Sequence, residues 1–275
     1  MAQHYPSVSP VVKRVLRIGP EPVKAPSAIA VLHKAFDLLD TLQSGGGAKS
    51  LDELVRDTGI ARSTAHRLLL NLIGRGYVER TSSGKFALGL KLLELGATVR
   101  QHQSLRDIAR PIMLDLRNRL GETINLGKLR GISVLYLETI ESEHAFRVSA
   151  SLGILDPLHV TSIGKAILAW MPPERRPLLN DWRQLTPATV TDPSRFDEEL
   201  ALTRKRGYAL DDEESMQGGR CIGVPILQNG YPVAGLSVSG PVARITRDRI
   251  KAIATDLRDA AALISDQMRL HPETE

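Results

Sequence analysis

A winged helix-turn-helix followed by a joining helix and an α+β domain is the fold the sequence predicts. Three observations carry it. Residues 51–89 show the periodicity of two short helices about a sharp turn, followed by a small β-hairpin. The basic excess is confined to the front of the chain: residues 1–104 hold 14 Lys and Arg against 8 Asp and Glu, and the remainder 22 against 23. From Gly121 onward, short strand-like runs alternate with helical ones, the texture of an α+β domain. The 275 residues suit two domains, at roughly 100–200 residues each.

Residues 1–26 carry Pro6, Pro10, Pro20, Pro22 and Pro26 and no sustained periodicity, and are expected to form a flexible arm. Lys13, Arg14 and Arg17 in that arm are expected to be solvated. The DNA-binding domain is placed at 27–89. Ser27 is expected to cap a helix running to about Leu42, with Ile29, Leu32, Phe36 and Leu39 facing inward. Gly45-Gly46-Gly47 forms a loop. Ser50 and Glu53 then make an S-x-x-E capping box that starts a helix at Leu51. Gly59 ends it, since glycine tolerates the left-handed backbone that the turn requires.

The next helix is expected from about Ala61 to Arg75, with Ala65, Leu68, Leu69, Leu72 and Ile73 on its inner side. Arg62, Ser63, Thr64, His66 and Arg67 are left on the open face near its N-terminus. There a helix-turn-helix presents side chains to base edges in the major groove. After Gly76, strands at Tyr77–Arg80 and Lys85–Leu88 enclose Ser82-Ser83-Gly84, a wing whose Arg80 and Lys85 suit phosphate contact. Leu90 to His102 reads as a linker helix and Leu105 to Leu120 as a second one. The inner side of the second is assigned to Ile108, Ile112, Leu116 and Leu120, with Pro111 inside it.

The second domain, 105–270, is expected to place strands at Thr123–Lys128, Ser133–Thr139 and Phe146–Ala150, with a turn at Arg130-Gly131. Helices follow at Thr161–Met171, Glu174–Trp182 and Ser194–Arg206. Strands are then expected at Tyr208–Asp211, Cys221–Gln228 and Pro232–Ser239, with Asn229-Gly230 as a hairpin turn. A long helix over Thr246–Met268 comes last.

Several function classes are disfavoured. With one cysteine, Cys221, no intrachain disulfide can form, which fits a reducing, cytoplasmic setting. The first residues show no apolar core of a signal peptide, and no apolar run approaches the roughly 20 residues of a membrane span. Aromatic residues make up 4% of the chain, too few for a single-strand stacking platform. Gly235-Leu236-Ser237-Val238-Ser239 misses the final glycine of a nucleophile elbow, and Gly164-Lys165-Ala166 misses both ends of a phosphate loop. Cys221 with His159 has no local signature of a thiol enzyme. Asp212, Glu213 and Glu214 read as a solvated acidic turn, with no histidine at metal-ligand spacing. Neither catalysis, a cofactor nor a metal is expected.

Five stretches lie in one order that is similar to the IclR family of bacterial transcriptional regulators: RSTAHRLLLNLIGRGYV, GKFALG, PLHVTSIGKAILAWMP, RGYALDDEESMQGGRCIGVPI and AGLSVSGPVARIT. The resemblance implies a linker helix at 90–104 and a GAF-like effector-binding and oligomerisation domain behind the DNA-binding unit. It implies a homodimer or homotetramer on palindromic double-stranded operator DNA, with a small organic acid as effector and no membrane. Repression is the commoner outcome and activation the alternative. Thr161, Ser162, Ile163 and Gly164 match the family's effector helix, whose open amides and dipole suit a carboxylate. Asp211, Cys221, Ser237 and Ser239 match its other pocket positions. Lys165 and Arg220 are candidates to add positive charge. Cys221 as a small core residue, and the serines as backbone partners, are the alternatives for those positions.

Overall fold

The computed structural model describes residues 30–44, 47–98, 100–150, 152–153 and 155–270. The arm, Ser27, Ile29 and Val99 lie outside them. The chain divides into two compact units, with the boundary in the sequence between Gly96 and Ala97.

In the first unit, α1 (Ala30–Ser44), α2 (Leu51–Thr58) and α3 (Arg62–Gly74) precede a two-stranded wing of β1 (Val78–Arg80) and β2 (Phe86–Leu88). The capping box is formed: Ser50 Oγ accepts from the Glu53 amide, and Glu53 accepts from the Ser50 amide. Gly59 closes α2 at φ 70°. Leu38, Leu42, Leu54, Ile60, Ala65, Leu69, Val78 and Phe86 make the core. The inner side expected for α1 holds at Leu39, which packs partly buried against this core, and fails at Leu32 and Phe36. Leu32 and Phe36 are exposed, and Leu38, Thr41 and Leu42 are buried instead. The helix carries two overlapping apolar stripes, and only its C-terminal half has a core to face.

α4 (Lys91–Ala97) stops short of the predicted linker, and Leu90, Leu93 and Leu95 are exposed. The second unit opens with α5 (Arg100–Leu120), which begins five residues before the predicted Leu105. Leu105, Ala109, Met113 and Leu116 are its buried residues; of the expected inner side, Leu116 is buried and Ile108, Ile112 and Leu120 pack partly buried against the same core.

An antiparallel sheet follows in the order β5-β4-β3-β8-β7-β6. Its strands are β3 (Thr123–Arg130), β4 (Ser133–Ile140), β5 (Leu155–Pro157), β6 (Ala209–Asp212), β7 (Gly219–Gln228) and β8 (Tyr231–Pro241). One face packs on α5 and α8 (Ile250–Leu270) through Ile124, Leu126, Ile222, Val224, Leu236 and Val238. α6 (Ser162–Trp170) lies on the other face, with α7 (Pro193–Arg206) against it.

Three expectations fail here. Phe146–Ala150 is not a strand; Arg244 holds the Phe146 carbonyl at 3.0 Å, and Glu141 accepts from Arg147 and Ser149 at 2.7 Å each. Glu174–Trp182 is not a helix beyond one 3-10 turn at Pro173–Arg175, because Pro177 removes an amide donor. The last helix begins at Ile250 rather than Thr246.

α6 can lie close to the sheet because β3, β7 and β8 carry glycine beneath it. A methyl group on Gly223 would sit 2.5 Å from the Ser162 carbonyl oxygen, and one on Gly235 2.8 Å from Ile163 Cγ2. This fixes the start of α6 directly over β7.

Candidate nucleic-acid interface and effector site

On α3, Arg62, Ser63, His66 and Arg67 are exposed and Thr64 is partly buried. The burial of Ala65 and Leu69 turns this opposite side to solvent. Asn71 Nδ2 donates to the Arg67 carbonyl at 2.8 Å, and Arg62 pairs with Asp52 on α2. The N-cap of α3 is Ala61, which supplies no side-chain acceptor, so the helix begins with open amides suited to phosphate. Sequence reasoning passed over that feature, although an alanine where a Ser, Thr or Asp cap is usual was visible. In the wing, Arg80 Nε donates to the Gly84 carbonyl at 3.2 Å and its guanidinium stands 5.6 Å from the Phe86 ring centre. The β-turn and the aromatic ring thus hold Arg80 in one direction, while Lys85 is exposed beside it.

In the second unit, the sheet register determines what faces α6. Residues directly opposite one another in antiparallel strands share a face. Thr123, Ser239, Cys221 and Asp211 are successive partners across β3, β8, β7 and β6. Thr139, Asn125, Ser237 and Gly223 are successive partners one row nearer the helix. Since Gly223 lies under Ser162, both rows belong to the α6 side. The structure therefore brings together Ser162, Ile163, Cys221, Ser237 and Ser239, with Asp211 at the β6 end.

Thr161 caps α6, its Oγ1 accepting from the Gly164 amide at 3.1 Å. No acceptor among the described residues takes the amides of Ser162 or Ile163. Those two donors, at the positive end of a helix nine residues long, suit an anion. Asp211 is committed to a turn. Its Oδ1 accepts from the amides of Glu214 at 2.8 Å and Ser215 at 3.1 Å, and Oδ2 accepts from Ser215 Oγ. Burial raises the Asp211 carboxyl, against these hydrogen bonds and Lys165. Burial and the Asp211 charge push the Cys221 thiol well above its ordinary value. It therefore stays a thiol at neutral pH, and thiolate chemistry is disfavoured. His159, lowered by burial, faces the Arg183 carbonyl at 3.1 Å and the Trp182 ring at 5.5 Å, so it acts as a packing residue.

The acidic turn is not simply solvated. Glu214 is buried and accepts from Lys165 Nζ at 2.5 Å; Lys165 also reaches the Leu210 carbonyl. Arg220 is held by Asp212 at 2.8 Å and by the Ile245 carbonyl at 2.5 Å. Both cations are therefore paired, and the Lys165 charge still acts on Asp211 and Cys221. Asn125 was missed. Its Nδ2 donates to Ser239 Oγ at 3.0 Å and lies 3.5 Å from Ser237 Oγ. An asparagine inside a predicted strand was the available signal, because asparagine is depleted there.

An open basic recognition helix with a wing, joined in one chain to an α+β unit with a polar site, defines a DNA-binding transcriptional regulator. Residues 31–82 match the IclR helix-turn-helix domain and residues 97–266 the bacterial transcriptional regulator IclR C-terminal model. The chain belongs to the IclR family of bacterial transcriptional regulators. It is 36% identical over 242 residues to the HTH-type transcriptional regulator BhcR of Paracoccus denitrificans, covering 86% of each. It is 34% identical over 233 residues to the transcriptional repressor IclR of Escherichia coli, covering 82% of this chain and 85% of that one. Among solved structures, an IclR homolog from Microbacterium hydrocarbonoxydans complexed with 4-hydroxybenzoate has a TM-score of 0.76 at 28% identity, covering 87% of this chain and 99% of the other. The Thermotoga maritima IclR has a TM-score of 0.70 at 33% identity, covering 88% and 99%.

Proposed function

We propose that this regulator is a repressor released from its operator by a small organic acid bound in the second domain. The observation that carries the effector reading is the pair of unpartnered Ser162 and Ile163 amides above a polar row that ends at Cys221 and Ser239. Thr161 and Gly164 shape the helix start, the two amides take the carboxylate, and Ser237, Ser239 and Cys221 line the rest. Asp211 fixes the adjoining turn. The 4-hydroxybenzoate complex of the Microbacterium relative supports an organic acid as the class. The protein works in the cytoplasm without catalysis, as a homodimer or homotetramer on a palindromic site, with domains at 27–89 and 105–270 and the linker at 90–104 between them.

On DNA, Arg62, Ser63, Thr64, His66 and Arg67 contact or position the chain on the major groove, and Arg80 and Lys85 hold phosphate. The test is fluorescence anisotropy with a duplex selected by the purified chain from a random pool. Arg67→Ala is expected to weaken the selected duplex by about 1–3 kcal/mol and relax sequence preference. Lys85→Ala is expected to weaken all duplexes alike and to reduce the salt slope by roughly 0.9. Preference for the selected duplex unchanged in both Arg67→Ala and Arg62→Ala would remove the base-reading assignment.

A further inference from the structure

One buried cation stands against two buried carboxylates beside the proposed effector site. Lys165 on α6 is 0% exposed, Asp211 on β6 is 2% exposed and Glu214 in the turn that follows is 7% exposed. Lys165 Nζ donates to Glu214 Oε1 at 2.5 Å and to the Leu210 carbonyl. Its charge also acts on Asp211 and on His159. From α7, the Glu199 charge acts on Glu214, and Arg206 holds Glu199 at 2.6 Å. Thr186 and Thr189 donate to the Glu214 carbonyl and carry no charge.

The two carboxylates are not equivalent. Asp211 receives the amides of Glu214 and Ser215 on Oδ1 and the Ser215 hydroxyl on Oδ2, and these donors favour its ionised form. Glu214 receives Lys165 on Oε1, and its buried Oε2 has no partner among the described residues. With a single lysine between two carboxylates, a proton settles most readily on Glu214 Oε2. Burial pushes the Glu214 carboxyl up to about 7 even against Lys165. With that proton in place Lys165 keeps both its acceptors, so α6 and the turn stay joined while one negative charge is removed.

That charge stands close to the start of α6. Lys165 follows Ser162 by three residues, about one helical turn. Asp211 pairs directly with Cys221, which is two residues along β7 from the Gly223 under Ser162. One strand spacing and two residues of strand make roughly 8 Å. Over 8–10 Å in a partly buried setting, a second negative charge strengthens a carboxyl's hold on its proton about tenfold.

We infer that filling the anion site draws a proton onto Glu214, so that effector affinity rises as pH falls through neutrality. This rests on the anion reading of the α6 start and names how that site is regulated. An anion on the Ser162 and Ile163 amides is repelled by ionised Glu214 and not by its protonated form. By linkage the proton favours the anion as much as the anion favours the proton.

The test is isothermal titration of the full chain with pyruvate, benzoate and 4-hydroxybenzoate at pH 6, 7 and 8, a range over which all three acids stay ionised. The acid that binds most tightly should gain about fivefold in affinity from pH 8 to pH 6. At pH 7 its heats in PIPES and in imidazole should differ by the uptake of roughly 0.4 proton per acid bound. Glu214→Gln should give a flat pH profile, no proton uptake, and binding at pH 8 about as tight as the parent shows at pH 6. His159→Gln removes the histidine that also feels Lys165 and should leave the parent profile intact. Duplex binding and the melting temperature report whether each variant is folded. Parent affinity independent of pH, with equal heats in the two buffers, would overturn the inference and leave the anion site standing. A pH dependence that persists in Glu214→Gln would also overturn it, placing the proton elsewhere. Binding of none of the three acids would remove the anion site and this inference with it.

Discussion

Replacing Gly223 by alanine tests the geometry of the proposed effector site, because one methyl group reaches the backbone at the start of α6. The added carbon would lie 2.5 Å from the Ser162 carbonyl oxygen, 2.6 Å from its carbonyl carbon and 3.0 Å from the Ile163 nitrogen. Non-bonded heavy atoms settle at about 3.5–4.0 Å, so the start of α6 must rise by roughly 1 Å. Those atoms are backbone, and no rotamer change can absorb the overlap. Overpacking of this kind costs about 1–3 kcal/mol. For a domain of this size that is a fall of roughly 2–12 °C in melting temperature. The same shift carries the Ser162 and Ile163 amides away from the anion. A hydrogen bond to a charged group is worth about 1.5–3 kcal/mol, so effector affinity should drop by roughly tenfold or more. Differential scanning calorimetry with and without an acid that binds the parent chain reads both quantities. Binding of the selected DNA duplex by the effector-free variant serves as the control for folding. A Gly223→Ala chain with unchanged melting temperature and unchanged acid affinity would refute the placement of α6 on β7.

Two predictions concern buried charge. Glu138 lies buried on β4 with Arg106 at 2.6 Å and Arg110 at 3.0 Å, both from α5. Burial alone would raise its carboxyl, but the two arginines outweigh it and hold it below the usual carboxylate value. Its contribution is therefore full above the unfolded value near 4.5 and is lost as pH falls through the lower folded value. Urea midpoints from pH 3 to 7 should show that acid loss in the parent. In Arg106→Ala/Arg110→Ala the trend should reverse sign, because burial then dominates; an unchanged acid limb would discount the α5–β4 clamp. Lys165→Met removes the partner of Glu214, whose carboxyl burial pushes up to about 7 even against Lys165. A raised carboxylate costs stability as pH climbs from near 4.5 through about 7. The variant should lose about 3–5 kcal/mol above pH 7 and less at pH 5.5, where the proton replaces the lysine. Equal losses at the two pH values would argue that Lys165 matters for packing alone.

What the sequence made legible follows from how local each signal is. The capping box, Gly59 and the Asn229-Gly230 turn are set by neighbours within a few residues, and each forms as expected. Apolar periodicity identifies α1 and α5; it finds one edge of the α5 core side and misplaces Leu32 and Phe36 on α1. A helix with two overlapping stripes does not declare which one meets a core; the partner decides, and the partner is distant in sequence. The segment 146–150 looked like a strand because its residues favour one. A hydrogen bond from Arg244 to the Phe146 carbonyl and the ion pair of Arg147 with Glu141 hold it irregular instead. Pro177 was in plain view and should have ended the helix expected over 174–182. The candidate pocket was partly legible, since the serines at 237 and 239 alternate on a strand and the α6 start carries its cap. Asn125 is not, because its contact with Ser237 and Ser239 arises from strand pairing: more than a hundred residues apart in sequence, they become neighbours only in the β3–β8 ladder.

Charge pairing inside the second unit bears on how the proposed site could be selective, because Lys165 and Arg220 are both paired. Lys165 answers to Glu214, and Arg220 to Asp212. Each pair also closes a hydrogen bond to a backbone carbonyl, of Leu210 and Ile245 respectively. The attraction for an anion is thus left to the oriented amides of α6, equivalent to roughly half an elementary charge. A field of that size matches a single carboxylate and not two. A second carboxylate on the proposed ligand would face the serine row while Lys165 and Arg220 are already paired, at the steep penalty of an unpaired buried charge. Neutral polar groups at the far end can still discriminate strongly, because each must be matched donor to acceptor. In the proposed site, fixed dipoles at the start of α6 beside the serine row would favour a small monoanion over anions in general.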